Sequence, residues 1–462
     1  MDSSRSLQEV VSNVGIGIVS TTHIEFPIRI AERCYGLRKP NLLEFLEPRR
    51  FSTGEFCPKY IVNDKMGLRG KHVYLIVTPG PYKSSEELME RLKMSAFAAK
   101  EHRADKVIAI LTDFPHARQD RGPDEDEKAL GEPTTVRYHA RQLESAGIDR
   151  VITTHAHSTR IAAYFALEYG LIPTEMFPEE ARKSRIRDII VPDHIDVNNP
   201  QIQELGREVF KSISPHAILA DYLLHQSSIV GSDYLRNGGE GIVLRAVDKG
   251  NKEFIDQLKE ALFLPNASVI YCNKIRGKKN DPTSVKIEVI GTSDNFTTLN
   301  DKLEILADDG SDTSGTLIQN GALADKGIIF NEREYGTPKE RIVHFTHPWL
   351  GGEAHQSVQG RLVRELRVRE IVTANTRPYI DDSQHHDFKT ISTVLRLAGL
   401  YADGIIANEM GHDVSKRYTG FESKEQQQQF LAHTYGLKRH SRHFMFTEPE
   451  AVRKGIFFPL RS

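Results

Sequence analysis

Short apolar runs separated by helix-like segments constrain the fold of this chain more than any other feature. Residues 73–77, 107–111 and 342–345 are almost continuously apolar and rich in β-branched side chains, while 84–102 and 253–263 have a helical pattern. Strands without polar alternation are typical of parallel sheets covered by helices on both faces. The pattern therefore predicts an α/β fold with mostly parallel sheets flanked by helices.

A weak internal repeat predicts two similar tandem lobes. Segment 71–79 is followed by a helical pattern and the strand 106–115, and segment 301–309 by a helical pattern and the strand 341–348. Only the second copy ends in an acidic loop, so only this lobe is predicted to hold metal and phosphate. We divide the chain into an N-terminal lobe (1–165), an insertion (166–212), a C-terminal lobe (213–390) and a C-terminal helix with an extension (391–462).

Charge and composition exclude several classes of protein. The chain has 61 Lys and Arg against 63 Asp and Glu, a net charge of −2, which argues against a nucleic-acid binder or a polybasic membrane protein. No run approaches the ~18 apolar residues of a membrane span, and residues 1–11 lack the pattern of a signal peptide. Its three cysteines have no zinc-ligand spacing. We expect a cytoplasmic protein that binds neither nucleic acid nor membrane.

The most informative segment is the acidic loop at 305–317, where an apolar strand leads through polar residues into a helix. Backbone N–H groups at a helix N-terminus bind anions. Asp308 and Asp309, at the carboxyl end of the strand, are suited to accept hydrogen bonds from ribose hydroxyls and to hold a hard cation through water. The segment therefore predicts a site for a sugar phosphate.

This order of an acidic pair, Asp-Thr, a small residue and Gly-Thr resembles the phosphoribosyl pyrophosphate loop of phosphoribosyltransferases and phosphoribosyl pyrophosphate synthetases. The resemblance implies two phosphoribosyltransferase-like lobes. It also implies that ribose 5-phosphate is held by the loop residues Asp308, Asp309, Asp312, Thr313, Ser314, Gly315 and Thr316.

A basic loop separates these two families. Residues 114–121 read FPHARQDR, and the two guanidinium groups suit phosphate oxygens. The segment resembles the FPYARQDR motif of ribose-phosphate pyrophosphokinase, which makes phosphoribosyl pyrophosphate from ATP and ribose 5-phosphate; phosphoribosyltransferases lack it. The resemblance implies that Arg118, Gln119 and Asp120 bind ATP.

A second ATP-binding segment is implied at residues 51–55, which resemble the family's FSDGE sequence, although Thr53 stands where Asp or Asn is usual. In the family this segment enters the ATP site of a neighbouring subunit and places its aromatic ring against adenine. Phe51, Thr53, Gly54 and Glu55 are therefore expected to bind ATP. The active form would be a homo-oligomer, at least a dimer and in many relatives a hexamer.

Two further motifs concern the metal. Residues 151–158 resemble the family's strand that ends in Asp-Leu-His-Ala, which places His157 at the metal-linked histidine near ATP and puts His155 in place of the usual Asp. This exchange removes a negative charge beside a site meant for Mg²⁺, so altered metal use is one alternative. Asp248 resembles the carboxylate of the Pro-Asp-x-Gly turn, which contacts metal and ribose. His157 and Asp248 are the expected Mg²⁺ residues, with His155 as a further candidate.

The catalytic residues come from a basic run at 271–280 that follows an apolar strand. It resembles the family's flexible catalytic loop, whose Lys-x-Arg pair closes over the phosphates. Lys274 and Arg276 occupy those two positions. The resemblance implies that they stabilise charge on the transferred diphosphoryl group.

Together the motifs cover residues 15–165 and 215–421 and imply a divergent ribose-phosphate diphosphokinase with Mg²⁺ as cofactor. One alternative is a catalytically silent, synthetase-associated regulatory subunit, since His155 replaces Asp and two extra segments are available as interaction surfaces. A phosphoribosyltransferase is the other, although the Arg118 and Lys274 motifs argue against it. Intact Lys274, Arg276 and the acidic loop favour the enzyme.

Overall fold

A computed structural model describes most of the chain as two lobes. The described residues are 13–19, 25–35, 46–60, 67–79, 85–122, 132–177, 195–276, 285–311, 314–349, 361–377 and 391–435. Among them, no helix has the length and apolar character needed to cross a membrane.

The first lobe is built on a parallel sheet. In the described residues its strand order is β1-β4-β5-β6-β7. A separate antiparallel hairpin is formed by β2 and β3. The strands are β1 (Val14–Ile18), β2 (Leu46–Arg50), β3 (Phe56–Tyr60), β4 (His72–Val77), β5 (Lys106–Leu111), β6 (Arg150–Thr154) and β7 (Phe210–Ile213).

The second lobe contains a larger sheet with the order β10-β9-β8-β11-β14-β15-β16, parallel except for β10 against β9. A two-residue pair, β12 with β13, lies apart from it. The strands are β8 (Ile242–Ala246), β9 (Ser268–Arg276), β10 (Val285–Thr292), β11 (Leu303–Ser311), β12 (Ile329–Phe330), β13 (Arg333–Glu334), β14 (Glu340–Pro348), β15 (Glu370–Ala374) and β16 (Ile391–Leu395).

Helices cover both sheets and fill the space between them. Helices α2, α3 and α4 pack on the outer face of the first sheet; α1, α6, α8 and α10 lie between the sheets; α9 packs on the outer face of the second. The helices are α1 (Glu25–Tyr35), α2 (Ser85–Glu101), α3 (Thr135–Ser145), α4 (Arg160–Glu168), α5 (Pro200–Gly206), α6 (His216–His225), α7 (Ser232–Gly239), α8 (Lys252–Leu262), α9 (Gly315–Asp325), α10 (Ala398–Glu409) and α11 (Lys424–Tyr435).

The apolar run at 73–77 shows why these strands are buried on both faces. Side chains alternate along a strand, so Val73, Leu75 and Val77 enter the outer core while Tyr74 and Ile76 enter the core between the sheets. A strand without polar residues therefore buries apolar side chains in both cores. The α/β fold with mostly parallel sheets flanked by helices, predicted from such runs, is confirmed.

The weak repeat corresponds to a shared strand order. Strands β1, β4, β5, β6 and β7 of the first sheet occupy the same relative positions as β8, β11, β14, β15 and β16 of the second. In this correspondence β4 matches β11, and β5 matches β14, which are the strands that the repeat aligned. The two lobes therefore have one topology.

Helix α10, from the C-terminal part of the chain, covers the inner face of the first sheet. Tyr401 packs edge-on against Phe26 of α1 with ring centroids 5.9 Å apart, and the Cys34 thiol lies 3.6 Å from the Ala402 carbonyl. The Tyr74 hydroxyl donates to Glu409 over 2.6 Å. The innermost layer of the first lobe is thus supplied by residues near 400.

Two strands lie in segments that we predicted to be additions to the lobes. Strand β7 falls mostly within the expected insertion 166–212, and β16 within the expected extension 391–462, yet each joins a sheet. The four-part division stays a prediction, with these strands assigned to the sheets that they join. Residues 178–194 and 436–462 lie outside the described residues.

Helix α5 is held in place by close packing and by an N-terminal cap. It packs against α4 so closely that a Cβ at Gly206 would lie 1.7 Å from the Ala162 carbonyl oxygen. Its N-cap is Asn199, whose side-chain oxygen accepts a hydrogen bond from the backbone N–H of Gln201 over 2.9 Å. Losing such a cap costs about 1 kcal/mol, so Asn199→Ala should lower the free energy of local opening of α5 by that amount in hydrogen exchange. The exposed Gln201→Ala is the control, and equal exchange in both variants would contradict the capping role.

Candidate active site

The acidic loop has the predicted order of strand, loop and helix. Asp308 and Asp309 lie near the carboxyl end of β11, and α9 begins at Gly315. Ser314 precedes the helix with a positive φ of 54°, and its hydroxyl shares a 2.5 Å hydrogen bond with that of Ser311. Asp312 and Thr313 lie outside the described residues.

The pKa values of the two adjacent carboxyl groups shift in opposite directions. Burial and the negative charges of Asp309 and Asp248 raise the pKa of Asp308 well above its usual value. Burial would also raise the pKa of Asp309, but the hydrogen bond and charge of His157 outweigh it and hold that pKa well below its usual value. Asp309 is therefore the ionised member of the pair, and Asp308 binds protons more readily.

A hydrogen bond between the lobes joins two predicted site residues. His157 follows β6 of the first lobe, and its Nδ1 donates to Asp309 Oδ2 over 2.5 Å. Burial lowers the pKa of His157, but Asp309 outweighs burial and raises it overall, with Asp120 adding to the rise. The sequence indicated His157 for ATP and metal and Asp309 for ribose, without predicting this direct pair.

Asp248 is linked to the acidic loop through Asn251, a residue that the sequence motifs did not indicate. Asp248 follows β8 and accepts from the Asn251 amide N–H over 3.1 Å. The buried Asn251 side chain in turn donates to Asp308 Oδ1 over 3.1 Å. A D-x-x-N turn directly after an apolar strand is the local signal that points to this residue.

Lys274 lies on strand β9, and its Nζ donates to the Thr316 hydroxyl over 2.5 Å at the first turn of α9. We predicted a flexible loop at 271–280, and its start is wrong, because residues 271–276 belong to β9. Antiparallel pairing with β10 continues the strand to Arg276, opposite Val285. The backbone of Arg276 is described, but its side chain and residues 277–284 lie outside the described structure.

The arginine loop follows β5 and is packed against the first lobe. The buried Asp120 accepts at its carbonyl from the Tyr164 hydroxyl over 3.0 Å. The carbonyl of Gln119 accepts from the Val136 amide over 3.4 Å. Arg118 places its guanidinium 5.5 Å from the centre of the Trp349 ring, which belongs to the second lobe. The loop therefore faces the second lobe through Arg118.

The segment 51–55 forms the turn between β2 and β3. Thr53 donates through its hydroxyl to Glu55 over 2.7 Å, and Gly54 has a positive φ of 88°. The hairpin packs on α2 through an Arg50–Glu87 ion pair of 2.8 Å. The Phe51 ring is 51% exposed, so this motif presents an aromatic side chain at the surface.

His155 is placed as a packed residue between the lobes. Its Nδ1 hydrogen bonds with the Thr346 hydroxyl over 2.7 Å, and its ring stacks on Phe254 with centroids 4.3 Å apart. Burial lowers its pKa well below the usual value despite the charge of Asp309. Thr346 and Phe254 occupy its Nδ1 and one ring face, so we leave His155 out of the proposed metal site, and its role there stays a prediction.

Metal ligands were expected at His157 and Asp248. Within the described ranges, no three His, Cys, Asp or Glu side chains form a group that could by itself hold a metal ion. Asn251 Oδ1 is buried without a hydrogen-bond partner among the described residues, beside the carboxyl groups of Asp248 and Asp308. Mg²⁺ commonly takes one or two carboxylates and completes its ligands with water and substrate phosphate. The donor set fits a cation brought with a phosphate substrate.

The sequence reading also missed a group of contacts between the lobes. Trp349 donates through its indole N–H to Asp113 Oδ2 over 2.8 Å, and Arg377 forms an ion pair with the same carboxylate. His347 hydrogen bonds with the carbonyl of Thr154 over 3.1 Å. The repeat aligns Asp113 and His347 near the ends of matching strands, but it does not indicate that the two side chains meet across the lobes.

These features define a class of protein: two α/β lobes of one topology, with an acidic loop on the second sheet facing an arginine loop on the first. The sequence model of the N-terminal domain of ribose phosphate pyrophosphokinase matches residues 38–147. The chain is similar to the ribose-phosphate pyrophosphokinase family, the resemblance that its motifs predicted.

Relatives are similar along most of the chain. Ribose-phosphate pyrophosphokinase 1 of Streptococcus pneumoniae is 28% identical over 335 residues, which cover 72% of this chain and 79% of the relative. The protein of the same name from Streptococcus pyogenes is 27% identical over 361 residues, or 78% and 84% of the two chains. The crystal structure of phosphoribosylpyrophosphate synthetase from Mycobacterium smegmatis superposes with a TM-score of 0.57 at 22% identity, covering 86% of this chain and 99% of that one. The last comparison shows the shared fold.

Proposed function

We propose that this protein is a ribose-phosphate diphosphokinase. It transfers the β,γ-diphosphoryl group of ATP to the C1 hydroxyl of ribose 5-phosphate in the cytoplasm, giving phosphoribosyl pyrophosphate and AMP. The observation that carries the proposal is the contact of the Lys274 ammonium with the Thr316 hydroxyl. It brings the expected catalytic lysine to the expected sugar-phosphate loop.

Ribose 5-phosphate would bind at the end of β11. The N-terminus of α9 offers main-chain N–H groups to its phosphate, with hydroxyls of Ser314 and Thr316 beside them. The ionised Asp309 and the adjacent Asp308 would accept hydrogen bonds from the ribose hydroxyls. Asp312, Thr313 and Gly315 complete the proposed sugar-phosphate site.

ATP would bind on the first lobe, opposite the sugar. Arg118 suits phosphate oxygens, and Gln119, Asp120 and His157 complete that side. The exposed Phe51 ring on its hairpin supports the proposal that Phe51, Thr53, Gly54 and Glu55 serve the ATP site of a second copy. An active form is then at least a dimer.

The reaction is a phosphoryl transfer in which positioning and charge stabilisation supply most of the catalysis. The C1 oxygen forms a bond with the β-phosphorus of ATP, and the bond from that phosphorus to the α,β-bridging oxygen breaks. AMP leaves with that oxygen and the electron pair, and the proton of the C1 hydroxyl passes to water. Lys274 and Arg276 would stabilise the charge on the transferred group. His157 and Asp248 would hold Mg²⁺, which when bound offsets the charge of the ATP phosphates.

The test is product analysis of the wild-type protein with ATP, ribose 5-phosphate and Mg²⁺, repeated with Mn²⁺. We expect AMP and phosphoribosyl pyrophosphate in equal amounts, with a label on the γ-phosphate recovered entirely in the sugar product. ADP as the product would contradict diphosphoryl transfer.

Two negative results would favour the alternatives. A folded protein that binds ribose 5-phosphate without turnover would favour the silent regulatory subunit. Consumption of added phosphoribosyl pyrophosphate in the presence of a nucleobase would favour a phosphoribosyltransferase.

A further inference from the structure

Trp349 is the only tryptophan of the chain, and the proposed reaction assigns it no role. It directly follows β14 and lies between the two lobes, half-buried. Three side chains contact its indole, two from the first lobe and one from the preceding strand β14. The N–H donates to Asp113 over 2.8 Å, the ring lies under the Arg118 guanidinium at 5.5 Å, and His347 stacks parallel to it at 5.8 Å.

The same indole is packed against the acidic loop. A Cβ added to Gly310 would lie 2.5 to 2.7 Å from three atoms of the six-membered ring of Trp349. Distances under about 3 Å are not tolerated by real side chains, so this contact requires glycine at position 310 or a displaced indole. Gly310 follows Asp309 on β11. One rigid side chain therefore fills the space between the arginine loop and the loop expected to bind ribose 5-phosphate.

The contact with Trp349 involves the face of the Arg118 guanidinium. Stacking on an aromatic ring uses the face of the guanidinium, whereas phosphate oxygens bind to its N–H edge. A flexible arginine loses rotamer entropy when it is immobilised for binding. The Trp349 ring is fixed by Asp113 and Gly310. An arginine that this ring already holds in place loses less rotamer entropy when it binds phosphate.

We propose that Trp349 is a positioning residue for ATP, which holds Arg118 at a set distance from the sugar-phosphate loop. This inference rests on the proposed function for its substrate. The indole contacts no reacting atom in this arrangement and acts through Arg118. Its effect should therefore fall on the KM for ATP more than on kcat.

The first test compares two substitutions of Trp349. Trp349→Leu removes the ring under Arg118 and should raise the KM for ATP by about three- to tenfold, the range expected for losing a partly desolvated cation–π contact. The KM for ribose 5-phosphate should change less, because His157 still holds Asp309. Trp349→Phe keeps an aromatic face and should retain a KM for ATP within about twofold of wild type. The exposed Phe97→Leu on α2 is the matched control for aromatic loss.

The second test is a double-mutant cycle with Gly310→Ala. In the wild-type background the added methyl group meets the indole, so the KM for ATP should rise as it does in Trp349→Leu. In the Trp349→Leu background the space is open, and the same alanine should add little. Such non-additivity is the signature of direct contact. Additive effects, or a cycle in which only the KM for ribose 5-phosphate changes, would overturn the inference.

A binding measurement separates this inference from the proposed function. Because the chain has one tryptophan, its emission reports on this site, and ADP should change it in the wild-type protein without turnover. Arg118→Ala should abolish the change, whereas Phe97→Leu should keep it. Absence of turnover together with an Arg118-dependent emission change would reject the proposed reaction and keep the role of Trp349. Normal turnover with an unchanged KM for ATP in Trp349→Leu would reject the role of Trp349 alone.

Discussion

Replacing Lys274 by alanine is expected to lower kcat for phosphoribosyl pyrophosphate formation by about 10²- to 10³-fold, the usual cost of removing one group that stabilises transition-state charge. The Lys274 ammonium lies 2.5 Å from the Thr316 hydroxyl, at the first turn of α9 where the sugar phosphate would bind. The KM for ribose 5-phosphate should rise only a few fold, because Asp309 and the N-terminus of α9 are unchanged. The measurement is steady-state AMP formation with each substrate varied in turn.

The structure offers a matched control on the neighbouring strand. Lys286 is an exposed lysine of β10, paired with Ile275 beside Lys274 in the antiparallel register. Lys286→Ala removes the same charge from the same region and should leave kcat within about twofold. Equal loss in both variants would indicate a general electrostatic effect on substrate binding and would remove the specific role of Lys274.

The second large effect is expected on stability, at the buried Glu304 of β11. Its carboxylate forms ion pairs with Arg245 and with Arg341, the latter over 2.7 Å, and Glu304 and Arg245 are fully buried. Glu304→Gln removes the carboxylate that pairs with the fully buried Arg245, while Arg341 keeps its ion pair with Asp325 over 3.0 Å. Breaking a buried pair in this way costs about 3 to 5 kcal/mol, measurable as a lower denaturation midpoint. The exposed Glu260→Gln on α8 is the control and should change little.

The pH dependence of this loss has a defined sign. Burial would raise the pKa of Glu304, but Arg245 and Arg341 outweigh it and hold the pKa below its ordinary value of 4.5. A carboxyl group with a depressed pKa in the folded state stabilises the fold above its ordinary pKa, and this contribution disappears as the pH falls through the folded pKa. The difference between wild type and Glu304→Gln should therefore be full at pH 7 and shrink below pH 4.5. A constant difference down to pH 3 would contradict the ion-pair explanation.

Local sequence patterns were sufficient for the fold and for part of the site. A few apolar residues in a row, such as 73–77, are enough to predict a strand, because both faces of each strand are buried. The acidic loop was equally local, since Asp308, Asp309 and the start of α9 follow one another along the chain. Both features depend on neighbours that lie side by side in the sequence.

Contacts between the lobes were not predictable from such patterns. His157 and Asp309 are separated by 152 residues, and Trp349 and Asp113 by 236. No periodicity indicates which side chains two separate sheets bring together. The same limitation explains His155, which aligned with an expected metal position by sequence, whereas its stacking on Phe254 depends on how the lobes pack. The end of β9 was predicted too early, because the strand that pairs with it, β10, begins only after a polar segment of the sequence.

The position of α10 has a consequence for the order in which the chain is made. Ribosomes release the N-terminal lobe first, yet the inner face of its sheet is covered by residues 398–409, where Tyr401 contacts Phe26 and Glu409 accepts from Tyr74. Until that helix emerges, side chains that it contacts, such as Phe26 and Tyr74, lack this cover. Nascent chains with unburied apolar surface are targets for chaperones and for aggregation. Synthesis of this protein therefore includes a long interval in which its first half is complete in sequence but unfinished as a folded unit.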